Sequence, residues 1–418
     1  MEADWDVVVV GAGAAGLVAG GTAAMRGQRT LLLEKNRKPG VKILMSGGTR
    51  CNITQATDNR GIVEAYGPPG RFLHSALAAL SVADTIALFE SEGVPTKTES
   101  TGKIFPQSDK AADVLAALLR RLERSGCTLA LEEPLAEVAR QRDGVRLVTP
   151  RRTLHARNLL ITTGGQSYPG SGTTGDGYRF AAQFGHTIVE PRPALVPVTT
   201  DAAWVRELRG VTVPDVTVRV LEPRAEGKRG KPRVLAERRG SLLFAHFGLS
   251  GPAALDVSRA ISGHPQPRTL ALVFDFLPEL TVEALENLLR EQASAAGKRT
   301  LVGLLGEHLP RRLCEALLAE SGLDSQLKLA EVGAKRRGEV AAAIKSQSVT
   351  PSGTRGFAKA EVTAGGVALG EVDSRTMQSK LAERLYLAGE VLDLDGPIGG
   401  YNFQAAWSTG HLAGLSVE

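Results

Sequence analysis

The sequence predicts an α/β protein built on a parallel sheet, and three observations predict it. A short β-branched run, Trp5 to Val10, feeds directly into a glycine turn, GAGAAG, with glycines at 11, 13 and 16. An Ala-rich segment through Ala24 follows, and then a second apolar run, Thr30 to Leu33. Strand, tight turn, helix and strand in that order form a βαβ unit, whose strands lie parallel. The composition agrees: 43% apolar and 23% charged residues are ordinary globular usage, which excludes disorder, collagen and coiled coil. The 418 residues allow two or three domains, each with its own core.

Taken in order, the first turn carries the chemistry. Gly11 makes it sharp, Gly13 lets backbone approach a pyrophosphate, and Gly16 packs the helix close on the strand, with Ala14 and Ala15 between them. The free N–H groups and positive dipole end of the helix then face phosphate charge. Glu34 ends the second strand, about 20 residues on, where a carboxylate accepts from a ribose hydroxyl. Lys35 stands beside it. An acid there disfavours a 2′-phosphate, so FAD or NAD is expected over NADP. The fold is therefore Rossmann-like.

Pro134 to Arg140, Gly144 to Thr149 and Arg152 to Arg157 read as a small meander, and Leu159 to Gly165 as a separate buried strand returning to the parent sheet. Near the other end, Arg384 to Asp393 reads as a strand that reaches Gly389 and Glu390, and a final helix starts from GPIGGYNF. A phosphate turn early and a Gly-acid turn late resemble the two-dinucleotide-binding class of FAD oxidoreductases. Longer stretches narrow this: RKPGVKILMSGGTRCNIT, GKIFPQSDKAADVL, TTGGQSYPGSGTTGDGY, LLFAHFGLSGPAALDVS, TAGGVALGEVDSRTMQSK and AGEVLDLDGPIGGYNFQAAWSTG. Together, and in order over nearly the whole chain, they resemble the bacterial flavoprotein family that includes aminoacetone oxidase and 3-dehydro-bile-acid Δ4,6-reductase. That resemblance implies a discontinuous FAD-binding domain, 1–190 with 347–418, interrupted by an insert.

It also implies residue roles. Gly11, Gly13, Ala14, Ala15 and Gly16 hold the pyrophosphate and Glu34, with Lys35, the adenosine ribose. Leu135 presents its backbone to the adenine, and Thr163 and Gly164 lie beside the AMP half. Lys42, Gly47, Gly48, Arg50, Cys51 and Asn52 form a loop at the ribityl–flavin end, with Arg50 as a fixed positive charge. Gly389 and Glu390 meet the ribityl hydroxyls. Gly399, Gly400, Tyr401, Asn402 and Phe403 aim a helix N-terminus at the pyrimidine edge, where reduced flavin gains negative charge. Cys51 reads as a packed residue rather than a redox partner, and Cys127 and Cys314 as thiols without function.

A second GxGxxG, at Gly170, Gly172 and Gly175, is read as a loop lining the FAD domain, because Gln166 to Pro169 separates it from the preceding strand. The insert changes character. Val211 to Leu221, Arg233 to Phe247 and Thr269 to Leu277 read as strands, with Gly227 to Lys231 as a hairpin tip, giving a β-rich, barrel-like region over 191–280. Amphipathic helices follow over 281–346: Thr281 to Ala296, Arg299 to His308, Pro310 to Ala319 and Leu327 to Ser346. Without βαβ alternation or a CxxC, a second nucleotide domain and disulfide reductase activity are not expected.

The activity expected is two-electron transfer between a small organic substrate and FAD N5, with O2 or NAD(P)H as the other partner. HFGLSGP, TAGGV and TMQSK are candidate lining segments, and His246, Tyr168 and Tyr401 are rival proton donors; Ser250 and Gly251 read as a helix cap. No metal site is expected. The net charge of +5 is spread along the chain, locally dense only at Arg224 to Arg239 and Lys335 to Arg337. With no aromatic beside the first run, a small-molecule substrate is expected rather than a nucleic acid, though a flavoprotein that binds or modifies RNA and a flavin-bearing protein without turnover are the alternatives. Three dispersed cysteines, no long apolar run and acids before the first strand point to a reducing, cytoplasmic setting without membrane or export.

Overall fold

The computed structural model describes residues 3–223 and 230–418. The chain forms two compact units, Met1–Arg192 with Val362–Glu418, and Pro193–Glu361.

In the first unit, β1 (Trp5–Val10) lies between β2 (Thr30–Leu33) and the later β9, all parallel. Val7, Val8 and Val9 are completely buried, as a strand covered on both faces requires. The first helix, Ala14–Met25, connects β1 to β2. A helical segment, Val41–Thr49, precedes a small antiparallel sheet of β3 (Thr54–Gln55), β4 (Thr96–Thr98) and β5 (Lys103–Pro106). β6 (Thr128–Ala130) extends the parent sheet beyond β2, and β7 (Glu137–Gln141), β8 (Gly144–Val148) and β9 (Thr153–Ile161) extend it on the other side. The meander's third strand and the returning strand are thus one. Charged Arg157 and polar Asn158 divide the apolar pattern, but both sit inside β9, whose first half pairs antiparallel with β8 while its length pairs parallel with β1.

A helix at Asp176–Gln183 leads to β10 (Ile188–Ala194). Among the described residues, no strand feeds the second glycine turn. Pro169–Ser171, which includes its first glycine, forms a short 3-10 turn, as expected of a loop.

The second unit holds a seven-stranded sheet. Its strands are β11 (Val198–Thr200), β12 (Thr212–Glu222), β13 (Arg233–Ala245), β14 (Gly248–Ser250), β15 (Ala271–Asp275), β16 (Gln347–Val349) and β17 (Pro351–Thr354), in the order β16-β15-β12-β13-β14-β11-β17. The three long strands fall where the sequence put them, although the expected hairpin tip at Gly227 to Lys231 falls largely outside the described residues. The helices Val282–Ala295 and Arg311–Glu320 also match, whereas the one expected over Arg299 to His308 is only Leu301–Leu305, since Gly306 ends it. The expected helix Leu327 to Ser346 is instead a 3-10 turn, Leu329–Glu331, and a helix, Ala334–Lys345, because Gly333 caps the second piece in extended conformation. β16 and β17 follow the helices yet complete the same sheet, so residues 347–361 lie with this unit.

The chain returns to the first unit through β18 (Val362–Val367), which pairs with β10, and β19 (Leu385–Leu387), which pairs with β9. The strand expected over Arg384 to Asp393 is only these three residues, since Gly389 takes a φ of +77° and opens a 3-10 turn. The last helix, Tyr401–Ser416, packs on the first so closely that a Cβ at Gly410 would stand 2.4 Å from the Ala15 carbonyl oxygen, and one at Gly414 2.5 Å from that of Ala19. Among the described residues no single helix is long and apolar enough to cross a membrane.

Candidate functional site

Within the first unit, the turn after β1 is shaped by two of its glycines. Gly11 has φ +101°, and a Cβ on Gly16 would lie 1.9 Å from the Gly11 carbonyl oxygen. Gly13, which caps the first helix without a side chain, would meet nothing within 4 Å. The space beside Gly13 is therefore open at the end of the helix where backbone N–H groups suit a phosphate anion. Glu34 is buried, and its carboxylate accepts from the backbone N–H of Ala12 (2.9 Å) and of Asn36 (2.8 Å), so it ties the turn to the end of β2. Lys35 turns elsewhere, to Asp176 at 2.6 Å and the Thr174 hydroxyl at 2.6 Å. Leu135 is buried beside this end of the sheet.

The second GxGxxG loop closes on the same region. Asn36 Nδ2 donates to the Ser171 carbonyl (3.0 Å), and a Cβ on Gly172 would strike the Asn36 side chain. Thr163 and Gly164 lead into this loop; a Cβ on Gly177 would lie 2.1 Å from Thr163 Oγ1, and one on Gly164 would lie 3.9 Å from Glu390 Oε2.

Glu390, next to Gly389 after β19, is the centre of a network the sequence did not disclose. Lys42 Nζ donates to its Oε2 at 2.7 Å and to Ser167 Oγ at 2.8 Å. Ser167 Oγ donates to Glu390 Oε1 at 2.9 Å, and the Thr363 N–H does so at 2.9 Å. Thr363 Oγ1 in turn accepts from the N–H groups of Gln166 and Ser167. Thr363 and Ser167 belong to TAGGV and TTGGQSYPG, the small-residue stretches that were the one available signal.

The loop after Lys42 is irregular. Gly47 and Gly48 have left-handed backbone, and so do two residues that seldom accept it, Thr49 (φ +71°) and Cys51 (φ +62°). Arg50 does not offer a free charge. Its guanidinium pairs with Glu99 at 2.6 Å and Asp109 at 3.5 Å and lies 4.0 Å over the Phe105 ring. Two acids and a ring thus meet that charge locally. The Cys51 thiol is fully buried and pushed up to about 12 by that burial, so it stays protonated and packed. Asn52 is buried too, and its Oδ1 has no hydrogen-bond partner among the described residues; the Tyr178 hydroxyl shares that condition.

Gly400 (φ +94°) caps the last helix with no side-chain bond, and a Cβ there would lie 2.6 Å from the Thr54 backbone. Gly399, also left-handed, lies against Gln55 and Tyr401. Asn402 braces the approach, accepting from the Gly396 N–H at 2.8 Å and donating to the Gly396 carbonyl at 2.9 Å. Phe403 stacks on Trp407, whose Nε1 donates to the Ile53 carbonyl. β3, the irregular loop and this helix tip therefore adjoin. Tyr401 is half-buried at the tip, and Tyr168 is 36% exposed on a left-handed backbone.

His246 belongs to the second unit, exposed between β13 and β14 with its ring edge-on to Phe247. In that unit Gly251 caps the helix Pro252–Ser262, as its position predicts. In the described part of the basic run, Arg233 meets Glu222, Arg238 meets Asp256, and Arg239 meets Asp215 and Glu279. Residues 224–229 of that run lie outside the described residues. No group of side chains among the described residues has the makings of a metal site.

A glycine turn with open space at Gly13, a buried acid at the end of β2 and a helix tip without a side-chain cap fit an FAD molecule, and comparison with known proteins agrees. The pattern of the HI0933-like protein Rossmann domain matches residues 5–416. The chain is 36% identical over 412 residues to ribosomal RNA dihydrouridine synthase of Escherichia coli (strain K12), covering 97% of this chain and 96% of that one. It is 35% identical over 419 residues to the protein of the same name from Haemophilus influenzae, covering 98% of each. With 3-dehydro-bile acid Δ(4,6)-reductase of Clostridium scindens it shares 31% over 412 residues, again 98% of each, which bears out the resemblance read from the motifs.

Proposed function

The chain belongs to the HI0933-like family of Rossmann-domain, FAD-dependent oxidoreductases, and from that premise we propose that it reduces a carbon–carbon double bond conjugated to a carbonyl, with the uracil ring of uridine in RNA as its substrate class. The observation that carries this reading is the chemistry common to the relatives. Dihydrouridine is uridine with its ring double bond reduced, and a Δ4,6-reductase likewise acts on double bonds; the two relatives named for RNA match at 36% and 35% over nearly the full length of both chains.

Bound FAD would supply hydride for one carbon of the alkene, its electrons coming from a nicotinamide nucleotide. The chain's own residues hold and orient. The turn from Gly11 to Gly16 binds pyrophosphate, Glu34 keeps the turn in register with β2, and Glu390, held by Lys42, Ser167 and Thr363, presents a fixed carboxylate to ribityl hydroxyls. The tip of the last helix, which has no side-chain cap, would stabilise negative charge at the flavin's pyrimidine edge. We assign the proton for the second alkene carbon to Tyr401 Oη, because Tyr401 stands half-buried at that tip. Tyr168 and His246 are the rivals.

One observation favours a small-molecule substrate instead, namely the pairing of Arg233, Arg238 and Arg239 with acids, which leaves those side chains little charge for phosphates. A single experiment separates the readings. Purified protein, FAD and NADH or NADPH are incubated without oxygen with ribosomal RNA made in vitro, or with a 4,6-dien-3-one steroid, and digests are weighed by mass spectrometry. A gain of two hydrogens on uridine is expected. Gain on the steroid alone sinks the RNA substrate and keeps alkene reduction, whereas gain on neither sinks both.

A further inference from the structure

Asn52 is more than nine-tenths buried, and its Oδ1 has no partner among the described residues. Buried carbonyl oxygens are almost always satisfied, so an orphan in a binding region marks where a donor belongs. Its neighbourhood is held firmly. The Cys51 N–H donates to the Ser46 carbonyl at 3.1 Å, the Ile53 N–H donates to the Ile104 carbonyl at 2.8 Å, and Trp407 Nε1 donates to the Ile53 carbonyl at 3.0 Å. Left-handed backbone at Thr49 and Cys51, residues that avoid it, persists only where the surroundings enforce it, and such strain concentrates at ligand sites. Two residues on, Thr54 abuts Gly400, where the last helix begins.

The donors and acceptors here are complementary to one particular edge. The helix tip offers N–H donors, and Asn52 adds a single buried acceptor. Oxidised isoalloxazine carries one ring N–H, at N3, between two carbonyls; its other polar edge atoms accept. We propose that Asn52 Oδ1 accepts the flavin N3–H, while the helix tip serves the adjoining C2 carbonyl, so that the two together fix the rotation of the ring in its site. The inference rests on the flavin reading above and adds the atom that recognises the ring.

The test compares binding of FAD and of 3-methyl-FAD, which lacks the N3 proton, to the full-length protein and to the Asn52→Leu and Asn52→Asp variants. Flavin fluorescence quenching gives the affinities, and thermal unfolding of each apoprotein confirms folding. Asn52→Leu is expected to weaken FAD about ten-fold and to leave 3-methyl-FAD within about two-fold of its wild-type value, while Asn52→Asp, which keeps an acceptor, holds FAD within about three-fold. With FAD labelled at N3, the 15N resonance of the bound cofactor is expected to move between wild type and Asn52→Leu. Equal weakening of both cofactors, or no weakening of either, overturns the proposal while the flavin reading stands. A wild-type protein that takes up no FAD overturns both.

Discussion

Gly13 and Gly16 stand in the same turn and answer to different constraints. A Cβ on Gly16 would collide with backbone, whereas one on Gly13 would meet only open space. Gly16→Ala is therefore expected to cost the apoprotein roughly 1–3 kcal/mol or more in thermal or urea unfolding. Gly13→Ala is expected to leave apoprotein stability within about 0.5–1 kcal/mol and still weaken FAD at least about ten-fold, because the methyl group takes the place of phosphate. Equal effects of the two changes on folding would defeat that distinction. At Tyr401, substitution by Phe is expected to lower turnover about 10²-fold or more while FAD affinity holds, with Tyr168→Phe and His246→Gln much milder; a larger loss at either rival reassigns the proton. At this scale the sequence was legible where chemistry depends on residue type at short spacing, as with the glycines and Glu34. It was not legible for Arg50 or Lys42, because Glu99, Asp109 and Glu390 are distant in the chain and only the fold brings them to hand.

Long or strongly patterned elements were readable, and short ones were not. β1, the first helix and the last helix announce themselves by composition, whereas β11, β14 and β16 are three residues each and owe their existence to neighbouring strands. Between the first and last helices, small residues permit backbone contact, so Gly410→Ala is expected to destabilise the protein by about 1–3 kcal/mol and, by pushing apart the two helices whose N-termini are proposed to serve the pyrophosphate and the flavin, to weaken FAD as well. A second packing device links His186 to Glu371 and Ser379. Ser379 Oγ accepts two backbone N–H groups, so its proton goes to His186 Nε2 at 2.8 Å, and His186 Nδ1 faces Glu371 at 3.2 Å. Burial holds His186 below its ordinary 6.5, against the pull of Glu371. The unfolded chain then binds more protons than the folded one below that pH, so this stability is complete above it and is lost as pH falls. Urea unfolding is expected to show falling stability from pH 7 to 5, with the slope reduced in His186→Gln; an unchanged slope would exclude His186 as its source.

Over the whole molecule, the discontinuous cofactor unit was legible because both its ends carry motifs, while the completion of the second unit's sheet by β16 and β17 was not, since those strands lack any pattern of their own. The insert begins and ends at one place: the Glu361 N–H donates to the Leu195 carbonyl at 3.1 Å. An insert whose ends already meet asks little extra closure entropy of its host. Replacing 196–360 by a short Gly-Ser linker is therefore expected to leave a folded protein that binds FAD; failure to bind FAD after such excision would show that the first unit depends on the second.

The pairing of the first and last helices has a further consequence for how the protein is made. Thr22 and His411, 389 positions apart, meet side chain to side chain at 3.0 Å across that pairing. A chain still emerging from synthesis has the first helix and lacks the last, so capture of FAD is expected only once the final helix is free to dock. Chains cut short before Tyr401 would keep a nearly complete parent sheet, stay colourless, and expose the apolar flank of the first helix to the cell's proteases.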